Sequence, residues 1–125
     1  MTYLFKKGIK TAIVSDTSLS AGRHLRFFLT EFGIAPYITF FAFSDEVGVY
    51  KPDEKIFMKA LGGMGDINPS KAAHVGDLKR TDVFGARSIG MTSVRFRGAN
   101  DDQENELEAD FVIDHLMELP SLLNL

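Results

Sequence analysis

Apolar positions in this chain come in short runs separated by amphipathic stretches. Lys10 to Val14 lies between Gly8 and the polar Ser15-Asp16-Thr17-Ser18, which predicts a buried strand. From Ala21 to Phe32, the residues Leu25, Phe28, Leu29 and Phe32 recur at i, i+3, i+4 and i+7, the stripe of a helix. Ser20 is its expected N-cap and Gly33 its stop. Ile38 to Phe43 is a second apolar run, and Ser44-Asp45-Glu46-Val47-Gly48 is its polar exit. Pro52 suits the first position of a second helix, with Asp53 and Glu54 complementing its positive end. That helix carries Ile56, Phe57, Ala60 and Leu61 and ends at Gly62-Gly63.

The same alternation continues to the end. Ala72 to Val75 reads as a third strand, Arg80 to Ile89 as a helix stopped by Gly90, and Met91 to Phe96 as a fourth strand. Arg97 to Glu108 is polar and acidic and reads as a solvated loop. Ala109 to Ile113 is a short last strand, and His115 to Leu123 a closing helix despite Pro120. Strands alternating with helices predict the α/β class: a Rossmann-like parallel sheet of about four or five strands flanked by helices, with right-handed crossovers. At 125 residues, one domain over 1–125 is the expectation.

Composition narrows the function classes. A net charge of −3, with no run of Lys or Arg longer than two, argues against nucleic acid or an anionic membrane as partner. The absence of cysteine excludes disulfides, thiolate nucleophiles and Cys-ligated zinc. No apolar stretch approaches the ~18 residues of a membrane span, and no signal peptide is visible, so a cytoplasmic setting is the expectation. Eleven phenylalanines are expected mainly as core and strand filler, Phe27, Phe28 and Phe32 included, with an exposed association surface as the weaker alternative.

The chemistry gathers where the strands end. Gly76-Asp77 closes the third strand and a second carboxylate, Asp82, follows five residues later. Carboxylates at the carboxyl edge of an open α/β sheet stand where such folds bind ligands. A pair of them suits Mg²⁺, which takes one or two carboxylates together with water and substrate phosphate. Ser15 ends the first strand, and Lys51 follows the second just ahead of a helix. A hydroxyl with nearby backbone N–H groups holds phosphoryl oxygens, and an ammonium neutralises their charge. Ser15, Asp16 and Lys51 are thus the candidate phosphate-binding set, and Asp77 and Asp82 the candidate metal set. The three histidines lack ligand spacing.

Three segments together resemble motifs II, III and IV of the haloacid dehalogenase superfamily, in the family's order. They are Ser15 after Thr11-Ala12-Ile13-Val14, Lys51 within Ser44-Asp45-Glu46-Val47-Gly48-Val49-Tyr50-Lys51-Pro52-Asp53, and Gly76-Asp77 with Asp82. Gly85-Ala86-Arg87 and Gly90-Met91 are similar to the phosphoglycolate-phosphatase-like branch. The likeness runs from about Lys6 to Leu119.

The resemblance implies Mg²⁺-dependent hydrolysis of phosphate monoesters on small molecules. It also implies an aspartate nucleophile in an Asp-x-Asp-x-Thr motif, on a central strand ahead of motif II, followed by a substrate-selecting cap. These residues contain no such motif, so no catalytic nucleophile is assigned. Reading Asp16 as that nucleophile puts Ser18 in place of the second aspartate and leaves no room for a cap. A receiver domain is disfavoured because Lys51-Pro52 precedes the Gly-Asp strand.

The expectation is therefore a truncated core domain, inactive alone or dependent on a complementing chain. A missing central strand leaves backbone groups unpaired at about 1–3 kcal/mol each when buried, which favours homo-oligomers that share or swap strands. The alternative is a non-enzymatic, self-associating domain of the same fold with residual Mg²⁺ or phosphate binding.

Overall fold

Five strands and six α-helices form in the computed structural model, which describes all 125 residues. They divide into two units, Met1–Asp66 and Ile67–Leu125.

In the first unit the order is α1 (Thr2–Lys6), β1 (Ala12–Ser15), α2 (Gly22–Glu31), β2 (Phe40–Phe43), α3 (Ser44–Val47) and α4 (Glu54–Gly63). β1 and β2 are parallel, in register from Ala12 opposite Phe40 to Ser15 opposite Phe43. A parallel pair needs a crossover, and α2 provides it. The core is where α4 meets the strands: Ile56, Phe57, Ala60 and Leu61 are buried, as are Ala42 and Phe43. Burial of each large apolar side chain there stabilises by about 1.5–3 kcal/mol.

Two helix starts differ from expectation. Ser20 does not cap α2. Ala21 occupies the N-cap position, and the Gly22 N–H is taken instead by Asp45 Oδ2 at 3.0 Å. A long-range carboxylate does the work assigned to a neighbouring hydroxyl. Gly22 itself packs so closely on the Phe43 ring that a Cβ would overlap it. Pro52 likewise lies ahead of α4 rather than opening it. Asp53 is the N-cap, its Oδ1 accepting the Lys55 N–H at 2.9 Å, and an acceptor at that position satisfies a donor the first turn leaves free.

The phenylalanine expectation holds only in part. Phe43 and Phe57 are fully buried, but Phe27, Phe28 and Phe32 are 60%, 51% and 76% exposed. The predicted α2 stripe buries Leu25 and Leu29 only partly.

The second unit runs β3 (Ala73–Gly76), a π-helical turn (Lys79–Val83), α5 (Phe84–Ser88), β4 (Thr92–Phe96), β5 (Phe111–Ile113) and α6 (Leu119–Leu122). The strands are parallel in the order β3-β4-β5, with Val75 opposite Val94 and Arg95 opposite Val112. Val83, Ala86, Met91, Val94 and Ile113 form its apolar core. The single helix expected over 80–89 is instead a π turn followed by α5, because the Val83 N–H reaches back five residues to the Leu78 carbonyl at 3.2 Å. Pro120 similarly breaks the closing helix into a 3₁₀ turn, Leu116–Glu118, and α6. Proline has no N–H to continue an earlier helix but fits the first turn of a new one.

Every ladder pairing is parallel, as expected, but the strands form two ladders, β1-β2 and β3-β4-β5. β1 has a ladder partner on one side only, and so does β3.

Candidate active site

In the first unit the candidate residues follow β1 and β2. Ser15 is the last residue of β1, half-buried, with its hydroxyl making only a long 3.5 Å contact to the Asp16 carbonyl. Asp16 Oδ1 accepts the Lys51 backbone N–H at 2.9 Å. Asp16 therefore fastens the segment that carries Lys51 to the loop that carries Ser15. These two loops lie 35 positions apart in sequence, and one carboxylate brings them together.

Behind that loop is a knot of polar groups that sequence reasoning missed. Thr17 is buried. Its N–H donates to Ser44 Oγ at 2.8 Å and its hydroxyl lies 2.7 Å from Asp45 Oδ1. The Asp45 N–H donates in turn to Thr17 Oγ1 at 3.0 Å. The Thr17 hydroxyl and then the Gly22 N–H hold the Asp45 carboxyl below the usual carboxylate range. Arg26 pairs with Glu46 and lies over the Phe41 and Phe43 rings, 5.4 and 5.0 Å from their centroids. The start of α2 is thus bound to α3.

In the second unit Asp77 directly follows β3 and is half-buried. Its one hydrogen bond is from Asn100 Nδ2 to Oδ2 at 3.3 Å, so its other oxygen has no protein partner. Asp82 differs. It is 2% exposed, with Oδ1 2.9 Å from His74 Nε2 and Oδ2 accepting the Leu78 N–H at 3.1 Å. Its carboxyl group also rests on the Gly76 α-carbon, where a Cβ would overlap it. The two aspartates flank one turn in different states, one open and one committed. His74, on β3, braces Asp82. An open carboxylate steadied by a buried one fits a hard cation that draws its remaining ligands from water and phosphate. No group of three or more His, Asp or Glu side chains gathers into a ready-made cage.

The acidic segment 101–108 is the irregular, largely exposed loop expected, but some of its carboxylates are drawn onto the second unit. Asp102 is 8% exposed, accepting the Lys79 N–H at 2.7 Å and the Glu104 N–H at 2.9 Å. Arg95, 4% exposed on β4, donates to both Glu108 oxygens at 2.8 and 2.9 Å and to Asp101 at 2.8 Å. Two-pronged contact of this kind is the strong form of the guanidinium–carboxylate bond. Arg95 pulls Glu108 and Asp101 below their ordinary values, and the Lys79 and Glu104 N–H groups do the same for Asp102. The signal was present in the sequence as a lone arginine inside an apolar strand, followed by a run of acids.

The model of the haloacid dehalogenase-like hydrolase family matches residues 1–90. The chain belongs to that family. Haloacid dehalogenase-like hydrolase domain-containing protein 3 of Mus musculus is 37% identical over 94 residues, 75% of this chain and 36% of its own length. Glyceraldehyde 3-phosphate phosphatase of Pyrococcus furiosus is 43% identical over 83 residues, 64% of this chain and 33% of its own. Among solved structures, a haloacid dehalogenase phosphatase from Thermococcus onnurineus superposes with a TM-score of 0.84 at 34% identity, covering 98% of this chain and 54% of that one. This member of the haloacid dehalogenase-like hydrolases thus spans about a third of the length of those two curated relatives.

Proposed function

We propose that the chain carries phosphate-binding residues in its first unit and metal-binding residues in its second, those of a haloacid dehalogenase-type phosphatase acting on small phosphate monoesters. The observation that carries this reading is positional. In each unit the candidate residues stand at or just beyond the carboxyl ends of parallel strands, where α/β folds bind ligands. In the first unit, Ser15 and nearby N–H groups bind phosphoryl oxygens, while Lys51, held through its main chain by Asp16, neutralises their charge. In the second, Asp77 is the open ligand for Mg²⁺ and Asp82 keeps its turn in shape. A bound Mg²⁺ would polarise the phosphoryl oxygens and offset charge developing on them.

The nucleophilic aspartate comes from a segment outside these 125 residues, so the chain works only with a complementing strand. Relatives named as phosphatases support the reaction class. Turnover of p-nitrophenyl phosphate with Mg²⁺ tests the reading. The chain alone is expected to be silent. Adding a strand peptide that carries Asp-x-Asp-x-Thr restores hydrolysis, and Asp77→Asn removes it. Silence under complementation overturns the reading.

A second reading, a self-associating binding domain, is favoured by the exposed Phe27, Phe28 and Phe32 and by the one-sided β1 and β3. Light scattering after size exclusion tests it, and a monomer at high concentration removes it.

A further inference from the structure

We infer that Arg95 is a positioning residue for Asp77, acting through the acidic segment 101–108 as a strap that holds the turn after β3. This rests on the reading of Asp77 as the cation's ligand.

The strap is tied at both ends. At its far end Glu108 is gripped by both prongs of the Arg95 guanidinium, and near its start Asp101 takes a third bond from the same group. Between them Asp102 receives the Lys79 N–H, two residues beyond Asp77. Lys79 Nζ adds a bond to the Glu104 carbonyl at 3.1 Å and lies 3.9 Å from Glu108. Immediately before the strap, Asn100 Nδ2 touches Asp77 itself.

The burial pattern shows why Arg95 is the anchor. An arginine that is 4% exposed cannot be left unpaired without a large cost, so wherever it lies its carboxylates must follow. β4 fixes its position through pairing on both sides. The strap therefore inherits the rigidity of a central strand and transmits it to the turn after β3. The turn is also held by the Asp82 carboxyl and by the Asp82 and Val83 N–H bonds to the Leu78 carbonyl. Groups that orient a metal ligand from behind typically change affinity about 10–100-fold when removed.

The test uses the full chain with three variants. Arg95→Met keeps the stem and removes the charge. Arg95→Lys restores charge without the two-pronged fork. Asp102→Ala cuts the strap from Lys79 without disturbing Arg95, and serves if Arg95→Met does not fold. Amide hydrogen exchange is read at Lys79, with Val14 and Ala42 as controls in the other unit, and Mg²⁺ is titrated by calorimetry.

The expected result for Arg95→Met and Asp102→Ala is exchange at Lys79 about tenfold faster or more, with Val14 and Ala42 unchanged. The Mg²⁺ Kd rises about tenfold, and Arg95→Lys falls between. Unchanged Lys79 protection in both variants overturns the strap. Faster exchange at Lys79 with unaltered Mg²⁺ affinity overturns the positioning role. If the unsubstituted chain takes up no Mg²⁺, the cation reading of Asp77 fails, and Lys79 exchange still decides whether the strap holds the turn.

Discussion

The two units are steadied by different forces. The first has an apolar core in which α4 buries Ile56, Phe57, Ala60 and Leu61, and its loops are tied by hydroxyls and main-chain N–H groups around Thr17 and Asp45. The second buries Asp82, Ser93, Arg95 and Asp102 beside a smaller apolar set, and fastens its loops with charge. Apolar packing is indifferent to pH and strengthened by moderate salt, whereas charged contacts weaken under both acid and screening. One chain therefore holds two halves with separate sensitivities.

Four experiments break or sharpen that contrast. The largest effect is expected from Phe57→Ala, which empties the core of the first unit. The loss is about 3–5 kcal/mol, read by urea unfolding. The corresponding blow to the second unit is Gly76→Ala. Its Cβ would overlap the buried Asp82 carboxyl, so the turn must shift, at a cost of about 1–3 kcal/mol. Nuclear magnetic resonance should show the Leu78 amide and the His74 ring moving while signals of β1 stay put.

Acid comes next. Asp101, Asp102, Glu108 and Asp110 all titrate lower in the folded chain than in the unfolded one. Their contribution to stability is then complete above the unfolded value of about 4 and is lost as pH falls through the folded values. Hydrogen exchange between pH 6 and 3 is expected to show the strap loosening well before α4, and equal loosening of both would erase the contrast. Asp45 responds in the same direction, so some loss at the α2 start accompanies it. The smallest effect is Asp53→Ala, which removes the α4 cap at about 1 kcal/mol and leaves the second unit untouched in thermal melts.

The α/β class and every strand were legible because short apolar runs and their polar exits are local signals. Ser15, Asp16, Lys51, Asp77 and Asp82 were singled out as candidates by their places after those runs. Their partners were not. Asp45 reaches Gly22 across 23 positions, Asp16 reaches Lys51 across 35, and Asp102 reaches Lys79 across 23. No periodicity encodes such pairings. The Phe27, Phe28 and Phe32 expectation failed because an apolar stripe marks a face that favours burial without saying that anything lies upon it. The exposed loop at the acidic segment was legible, but composition does not tell which of its carboxylates answer a buried arginine.

The π turn at Lys79–Val83 makes length itself a determinant of this turn. Each residue of an ordinary helix advances the side-chain direction by about 100°. Deleting one residue between Leu78 and Asp82 would let the segment relax into regular helix, keep its composition almost intact, and swing the carboxylate away from His74 and the Leu78 N–H. The five-residue interval is a ruler as much as a motif.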